Sequence, residues 1–197
     1  MNALTLASKS VTRAALMRAA GIAFQTVSPD VDEVAAKRDL LAEGAAPRPV
    51  AEALARMKAV AVSKDRPGLV IGADQTLDLD GVLHDKATNL DEARRRLTVL
   101  RGKTHALHTA VAVAREGATL WRHVETARLT MRAFSDGFLD RYLARAGAVV
   151  LTSVGGYQLE GEGAQLFEAI EGDYFSILGL PLIPLLGALR REGVLRQ

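Results

Sequence analysis

Asp74 closes the run Leu69-Val70-Ile71-Gly72-Ala73. A continuous apolar run bounded by turn residues reads as a buried strand. Open α/β sheets place ligands beyond the carboxyl ends of their strands, so a carboxylate there could take a proton from water. Taken alone it fits a helix cap or a hairpin start equally well. Asp30, Asp32 and Glu33 follow a strand-like segment and Pro29. Such an oxygen-rich group suits a hard cation such as Mg²⁺, and also an ordinary solvated turn. Arg13, Lys58 and Lys86 are single cations near expected loops or helix starts. Each alone fits a surface position. Together with carboxylates for a metal, they have the composition of a polyphosphate site.

Other chemistries drop out. Gly102-Lys103-Thr104 imitates the end of a P-loop, but Leu97 stands where the first glycine is required. Gly161 and Gly163 begin a dinucleotide fingerprint that fails at Leu166, with no strand before it. His105 and His108 are three apart on an expected strand and face opposite sides, which excludes a neighbouring metal pair and leaves a structural reading for the histidines. Arg94-Arg95-Arg96 fans around a helix as a solvated face rather than a DNA stripe. Aromatic residues are only 5% of the chain, too few for base-stacking platforms.

The elements that must position these residues form an α/β pattern. Leu4–Ala7 reads as a strand, Thr12–Ala20 as a helix stopped by Gly21, and Ile22–Val27 as a second strand. The acidic stretch 30–33 is no core element, and 35–47, polar and rich in Ala without a period, reads as a mobile connection. Pro49–Val62 is expected to be a helix with Leu54, Met57, Ala61 and Val62 on one face. Asp80-Gly81 turns a hairpin, and Asn89 or Asp91 caps a helix to Leu100. His105–Ala114 and Thr119–Met131 are expected as long strands joined at Glu116-Gly117, with Ser135 capping a helix through Ala146. Residues 157–162 look irregular, 164–170 helical, and 181–191 form a last amphipathic helix.

Composition bounds the rest. The 197 residues are 49% apolar and 24% charged, with net charge +2, which excludes a disordered chain. At this length roughly 70% of the unfolded surface can be buried, enough for a full core. There is no cysteine, so disulfides, thiolate metal sites and cysteine nucleophiles are excluded. The apolar run 177–189 is too short for a membrane span and holds Pro181 and Pro184. No leader segment is recognisable at the N-terminus. One cytoplasmic domain over 1–197 is expected, with no nucleic-acid or membrane partner.

The order of motifs carries a resemblance. Leu6–Arg13 resembles the pattern LASxSPRR, Ser28–Glu33 resembles SPDIDE, and Lys58 lies in an Ala/Leu-rich helical setting. Ile71-Gly72-Ala73-Asp74-Gln75 resembles IGADT, Lys86 precedes Asp91-Glu92-Ala93, and Leu100–His105 resembles LSGRTH. Glu160–Ala164, Gly172-Asp173-Tyr174 and Gly179–Leu182 complete the set. In this order, over nearly the whole chain, they resemble the Maf family of nucleoside triphosphate pyrophosphatases.

The resemblance implies an ITPase-like α/β fold: a mixed, twisted β-sheet with flanking helices and a deep cleft between two lobes. It implies hydrolysis of a nucleoside triphosphate to the monophosphate and pyrophosphate with Mg²⁺ or Mn²⁺, in the clearing of modified or non-canonical nucleotides. Asp74 would be the proton acceptor, Glu33 and Asp74 would hold metal, and Ser8, Arg13, Lys58 and Lys86 would grip the triphosphate. A homodimer is compatible with it. Thr12, Gln75 and Glu160 stand where the family sorts its base preference. The dTTP/UTP subgroup looks like Arg, Thr and Gln there; the 7-methyl-GTP subgroup resembles this chain at Gln75 and Glu160 but not at Thr12. The chain departs from the pattern at Val11 and Thr12, at Ala87 after the motif lysine, and at Asp85, where the family has glycine. A dTTP/UTP pyrophosphatase and a non-catalytic regulator of septum formation are the alternative readings.

Overall fold

The computed structural model describes residues 3–196. Strand β1 (Leu4–Ala7) leads through helix α1 (Val11–Ala19) to β2 (Gln25–Val27). Helices α2 (Glu33–Ala42) and α3 (Pro47–Ser63) precede the long strand β3 (Leu69–Leu79) and its hairpin partner β4 (Val82–His84). Helix α4 (Leu90–Leu100), strands β5 (Thr104–Arg115) and β6 (Ala118–Met131), and helix α5 (Asp136–Ala146) follow. Strand β7 (Phe167–Glu171), the short α6 (Tyr174–Ile177) and α7 (Leu182–Arg191) complete the chain.

The sheet is mixed, in the order β2-β1-β3-β5-β6-β7, with β4 also on β3. β1 runs parallel to β2 and β3; the remaining pairs are antiparallel. Both hairpin turns anticipated from sequence are present. Asp80 and Gly81 have φ of 55° and 82°, and Glu116 and Gly117 have 51° and 78°, the two positive values that a type I′ turn requires.

Strand alternation on β3 sorts the molecule into parts. The even residues Val70, Gly72, Asp74 and Thr76 face α3, and the odd ones face the opposite side. On that side Leu69, Ile71 and Ala73 join one apolar core with α1, α7 and the end of β5, while Leu77 and Leu79 join another with α4, α5 and the end of β6. Gln75 is the odd residue at the seam between the two lobes. On the even face α3 comes very close, because Ala51, Ala55 and Ala59 meet Ala110, Ala112, Ala114 and Gly72. A Cβ on Gly72 would lie 2.2 Å from the Ala55 carbonyl oxygen.

The structure corrects four expectations. β3 does not end at Asp74 but runs five residues further, because its second half finds partners in β4 and β5. Residues 35–47 are not a loose connection: Asp32 accepts a hydrogen bond from the Ala35 amide at 2.8 Å and starts α2, which buries no side chain and therefore shows no apolar period. The buried face of α3 is Ala51, Leu54, Ala55, Lys58, Ala59 and Val62, with Met57 and Ala61 only half-buried; small alanines, not large apolar residues, mark it. Residues 164–170 form a 3₁₀ turn and then β7, an edge strand on β6, rather than a helix.

Candidate active site

β1 pairs with β3 only as far as Ala7 opposite Gly72, and β4 begins opposite Leu77. Between them, one edge of β3 at 73–76 has no strand beside it, and there the sheet opens into a cleft of about 1050 Å³ between the lobes. All nine residues singled out in the sequence line it: Ser8, Thr12, Arg13, Glu33, Lys58, Asp74, Gln75, Lys86 and Glu160.

Lys58 lies on the sheet-facing side of α3, 5% exposed, one turn from Leu54. Its ammonium sits 2.6 Å from Asp74 Oδ1 and 2.7 Å from Glu33 Oε2. Three elements thus converge on one point: β3 brings Asp74, α3 brings Lys58, and the first residue of α2 brings Glu33. The position facing α3, rather than a strand terminus, is what couples Asp74 to Lys58. Asp32 is spent as a helix cap, and Asp30 lies outside the cleft lining, so of the acidic group only Glu33 reaches the site.

Arg13 sits in the first turn of α1, whose cap is Ser10. Its Nε donates to the Gly179 carbonyl at 2.7 Å, and Nη1 donates to the Ala73 carbonyl at 2.9 Å and to Ser8 Oγ at 3.4 Å. The Ala73 bond satisfies the open edge of β3 described above. The Nη2 protons remain for a ligand. Burial pulls the guanidinium pKa down while Asp74 and Glu33 oppose it; an arginine so placed stays charged. Gly179 has φ of 102°, and a Cβ there would stand 3.4 Å from Arg13 Nε, so glycine both permits the turn and leaves room for the cation. Ser8 Oγ is buried and also accepts from the Ser10 amide at 3.1 Å. Lys86 faces the cleft from the loop after β4. Its pKa is lowered, first by desolvation and then by the neighbouring charge of Arg13, with Asp74 opposing.

Gln75 is fixed by its neighbours. Its Nε2 donates to Thr109 Oγ1 at 2.8 Å and to the Ser176 and Ile177 carbonyls at 3.1 Å each. Thr109 gives its own hydroxyl proton to the Ser176 carbonyl at 2.8 Å, so it can only accept from Gln75. The amide orientation follows, and Gln75 has its carbonyl oxygen to offer the cleft. Thr12 lines the cleft from α1, and Glu160 is exposed on the opposite wall, formed by residues 152–160.

That wall is tied to the second lobe. Tyr157 shares a 2.6 Å hydrogen bond with His105 Nε2, and Tyr142 donates to the Gly156 carbonyl at 3.1 Å. Ser153 Oγ bridges the Tyr157 amide and carbonyl at 3.0 and 2.7 Å. Lys9, Lys37, Asp85 and Tyr157 also line the cleft and were not singled out in the sequence. The one available signal was at Asp85, where the chain leaves the family pattern.

A divalent cation fits the carboxylate pair. Glu33 and Asp74 aim one oxygen each at a single cationic centre, within 2.7 Å of it. Among the described residues no group of three or more metal-ligating side chains occurs. Mg²⁺ commonly takes one or two carboxylates and completes its shell with substrate phosphate and water.

The comparisons agree with this cleft. The family profile described as Maf-like protein matches residues 3–192. A protein of Caulobacter vibrioides named nucleoside triphosphate pyrophosphatase is 62% identical over 192 residues, covering 98% of this chain and 96% of that one. A 7-methyl-GTP pyrophosphatase of Brucella abortus is 54% identical over 190 residues, covering 96% of each. Among solved structures, a HAM1 protein from Coxiella burnetii matches with a TM-score of 0.48 at 14% identity, over 68% of this chain and 75% of that one. With the profile spanning nearly its whole length, the chain belongs to the Maf-like protein family.

Proposed function

We propose that this chain hydrolyses a nucleoside triphosphate to the monophosphate and pyrophosphate, assisted by Mg²⁺ or Mn²⁺, with preference for a guanine-type base such as that of 7-methyl-GTP. The observation that carries the reaction is the convergence of Asp74, Lys58 and Glu33 at the floor of a cation-lined cleft. Asp74 Oδ1 is engaged by Lys58, which leaves Oδ2 to accept the proton of a water attacking the α-phosphorus. The α-phosphorus bond to the bridging oxygen then breaks, and pyrophosphate leaves with charge that Arg13 Nη2 and Lys86 neutralise. A cation held by Glu33 and Asp74 would add electrostatic stabilisation of the phosphate oxygens.

The base preference rests on hydrogen-bond polarity. Gln75 offers a carbonyl oxygen and Glu160 a carboxylate, both acceptors. The guanine edge presents two donors, at N1 and the exocyclic amine, whereas uracil and thymine present one donor between two acceptors. A mismatched acceptor pair costs roughly 1–3 kcal/mol, about ten- to a hundredfold in selectivity. N7-methylation places positive charge on the base and strengthens its attraction to Glu160. The relatives with this activity in their names support the same reading. The test is a panel of ordinary and methylated triphosphates, scored for pyrophosphate against orthophosphate. Orthophosphate as first product defeats the reaction, and equal turnover of UTP and dTTP defeats the base preference. Glu160→Gln is expected to move the ratio toward pyrimidines.

A further inference from the structure

Helix α2 buries no side chain, yet three residues on its underside, Glu33, Val34 and Lys37, line the cleft. Its ties across the cleft are ionic: Glu33 to Lys58 of α3, and Lys37 to Asp85. Asp85 belongs to the other wall, directly before Lys86. Its backbone is anchored there, because Arg96 Nη1 donates both to the Asp85 carbonyl and to the Val154 carbonyl of the Glu160-bearing wall. The fixed partner is therefore Asp85, and the loosely held one is α2. The Lys37 side chain is 21% exposed and that of Asp85 is 62% exposed, so an anion entering the cleft can reach the pair.

We propose that Lys37 is a further phosphate-binding residue, held on Asp85 in the free protein and transferred to the phosphate chain of the nucleotide when it binds. This rests on the reading of the cleft as a triphosphate site. A polyphosphate carries more charge than one carboxylate and outcompetes Asp85 for the ammonium. The exchange draws α2 onto the substrate at little cost, since no buried contact of α2 must break.

The two partners of the pair make opposite predictions. If the ion pair merely braces the cleft, Lys37→Met and Asp85→Asn break the same contact and act alike. If Lys37 is to be delivered to phosphate, Lys37→Met weakens binding and Asp85→Asn, by freeing Lys37, strengthens it. Calorimetric binding of inorganic tripolyphosphate with chelator present reads this without turnover. Lys37→Met is expected to weaken binding about five- to tenfold and Asp85→Asn to tighten it about two- to fivefold, as for one charge-assisted hydrogen bond. Lys37→Arg keeps the charge and should bind within about twofold of the parent on the same scale. Arg38→Met removes the same charge from the 72%-exposed neighbour that pairs with Asp39, and should have little effect. Shifts of the same sign in Lys37→Met and Asp85→Asn, an equal loss in Arg38→Met, or no tripolyphosphate binding by the parent would each overturn the proposal. The opposite-sign pattern in a protein that releases no pyrophosphate from any triphosphate would leave it standing and defeat the proposed reaction instead.

Discussion

Lys58 is the residue on which the site turns. An ammonium between two carboxylates keeps Glu33 and Asp74 from repelling each other in the free protein. Removing it leaves two like charges facing an apolar helix. Lys58→Met is expected to destabilise the free protein by about 3 kcal/mol, less to the extent that Glu33 is solvated. A divalent cation should then raise the melting temperature of Lys58→Met more than that of the parent, because it can occupy the position of the lost ammonium. Equal shifts in a thermal melt with and without Mg²⁺ would show that the carboxylates do not hold the ion. Asp74→Asn keeps shape but loses the proton acceptor, and pyrophosphate release should fall at least about a hundredfold with the fold intact. The identities of these residues were legible in the sequence, because motif order places each one. Their arrangement was not: Asp74 looked like the end of a strand, since nothing in 74–79 announces that β4 and β5 continue the ladder.

At the scale of elements, the site depends on how near α3 approaches the sheet. Gly72 and the facing alanines permit the contact, and α3 carries Lys58 while β3 carries Asp74 two residues beyond Gly72. Gly72→Ala would push its methyl into the Ala55 carbonyl and the Ala59 amide, the latter at 2.6 Å. Backbone atoms cannot rotate away, so α3 must lift. We expect a loss of about 1–3 kcal/mol in urea unfolding, with pyrophosphate release falling further than a comparable destabilisation at a distant core site would explain. Activity proportional to the folded fraction would contradict the coupling. The elements read correctly from sequence were those with period-2 runs, caps or glycine turns: β5, β6, α4, α5 and both hairpins. Those misread were α2, which has no buried face, and β7, a mostly exposed edge strand after a 3₁₀ turn. Neither displays the apolar rhythm from which secondary structure is recognised.

Over the whole molecule, two lobes share one sheet, and His105 ties the cleft wall to the second of them. It is 2% exposed, packed near Tyr157 and Phe167, and burial drops its pKa to about 4 from an ordinary 6.5, so it is neutral in the folded protein near neutral pH. The unfolded chain therefore binds a proton at His105 between pH 6.5 and 4 that the folded chain does not, and stability contributed by the neutral ring falls as pH falls through that window. On going from pH 7 to 4.5 the linkage amounts to about 2–3 kcal/mol. Carboxylates titrate in the same range, so the parent alone cannot isolate it. His105→Gln removes this titration while leaving the others, and its urea-unfolding free energy should decline less over the same interval by about that amount. Protonation would also break the neutral arrangement with Tyr157, whose own hydroxyl pKa burial pushes up. The wall carrying Glu160 should then loosen before the lobe of α1 and α7, and amide exchange at 152–160 should accelerate at pH 4.5 in the parent and less so in the variant. Parallel stability curves for the two proteins would mean that the buried histidine does not carry the acid sensitivity of the cleft.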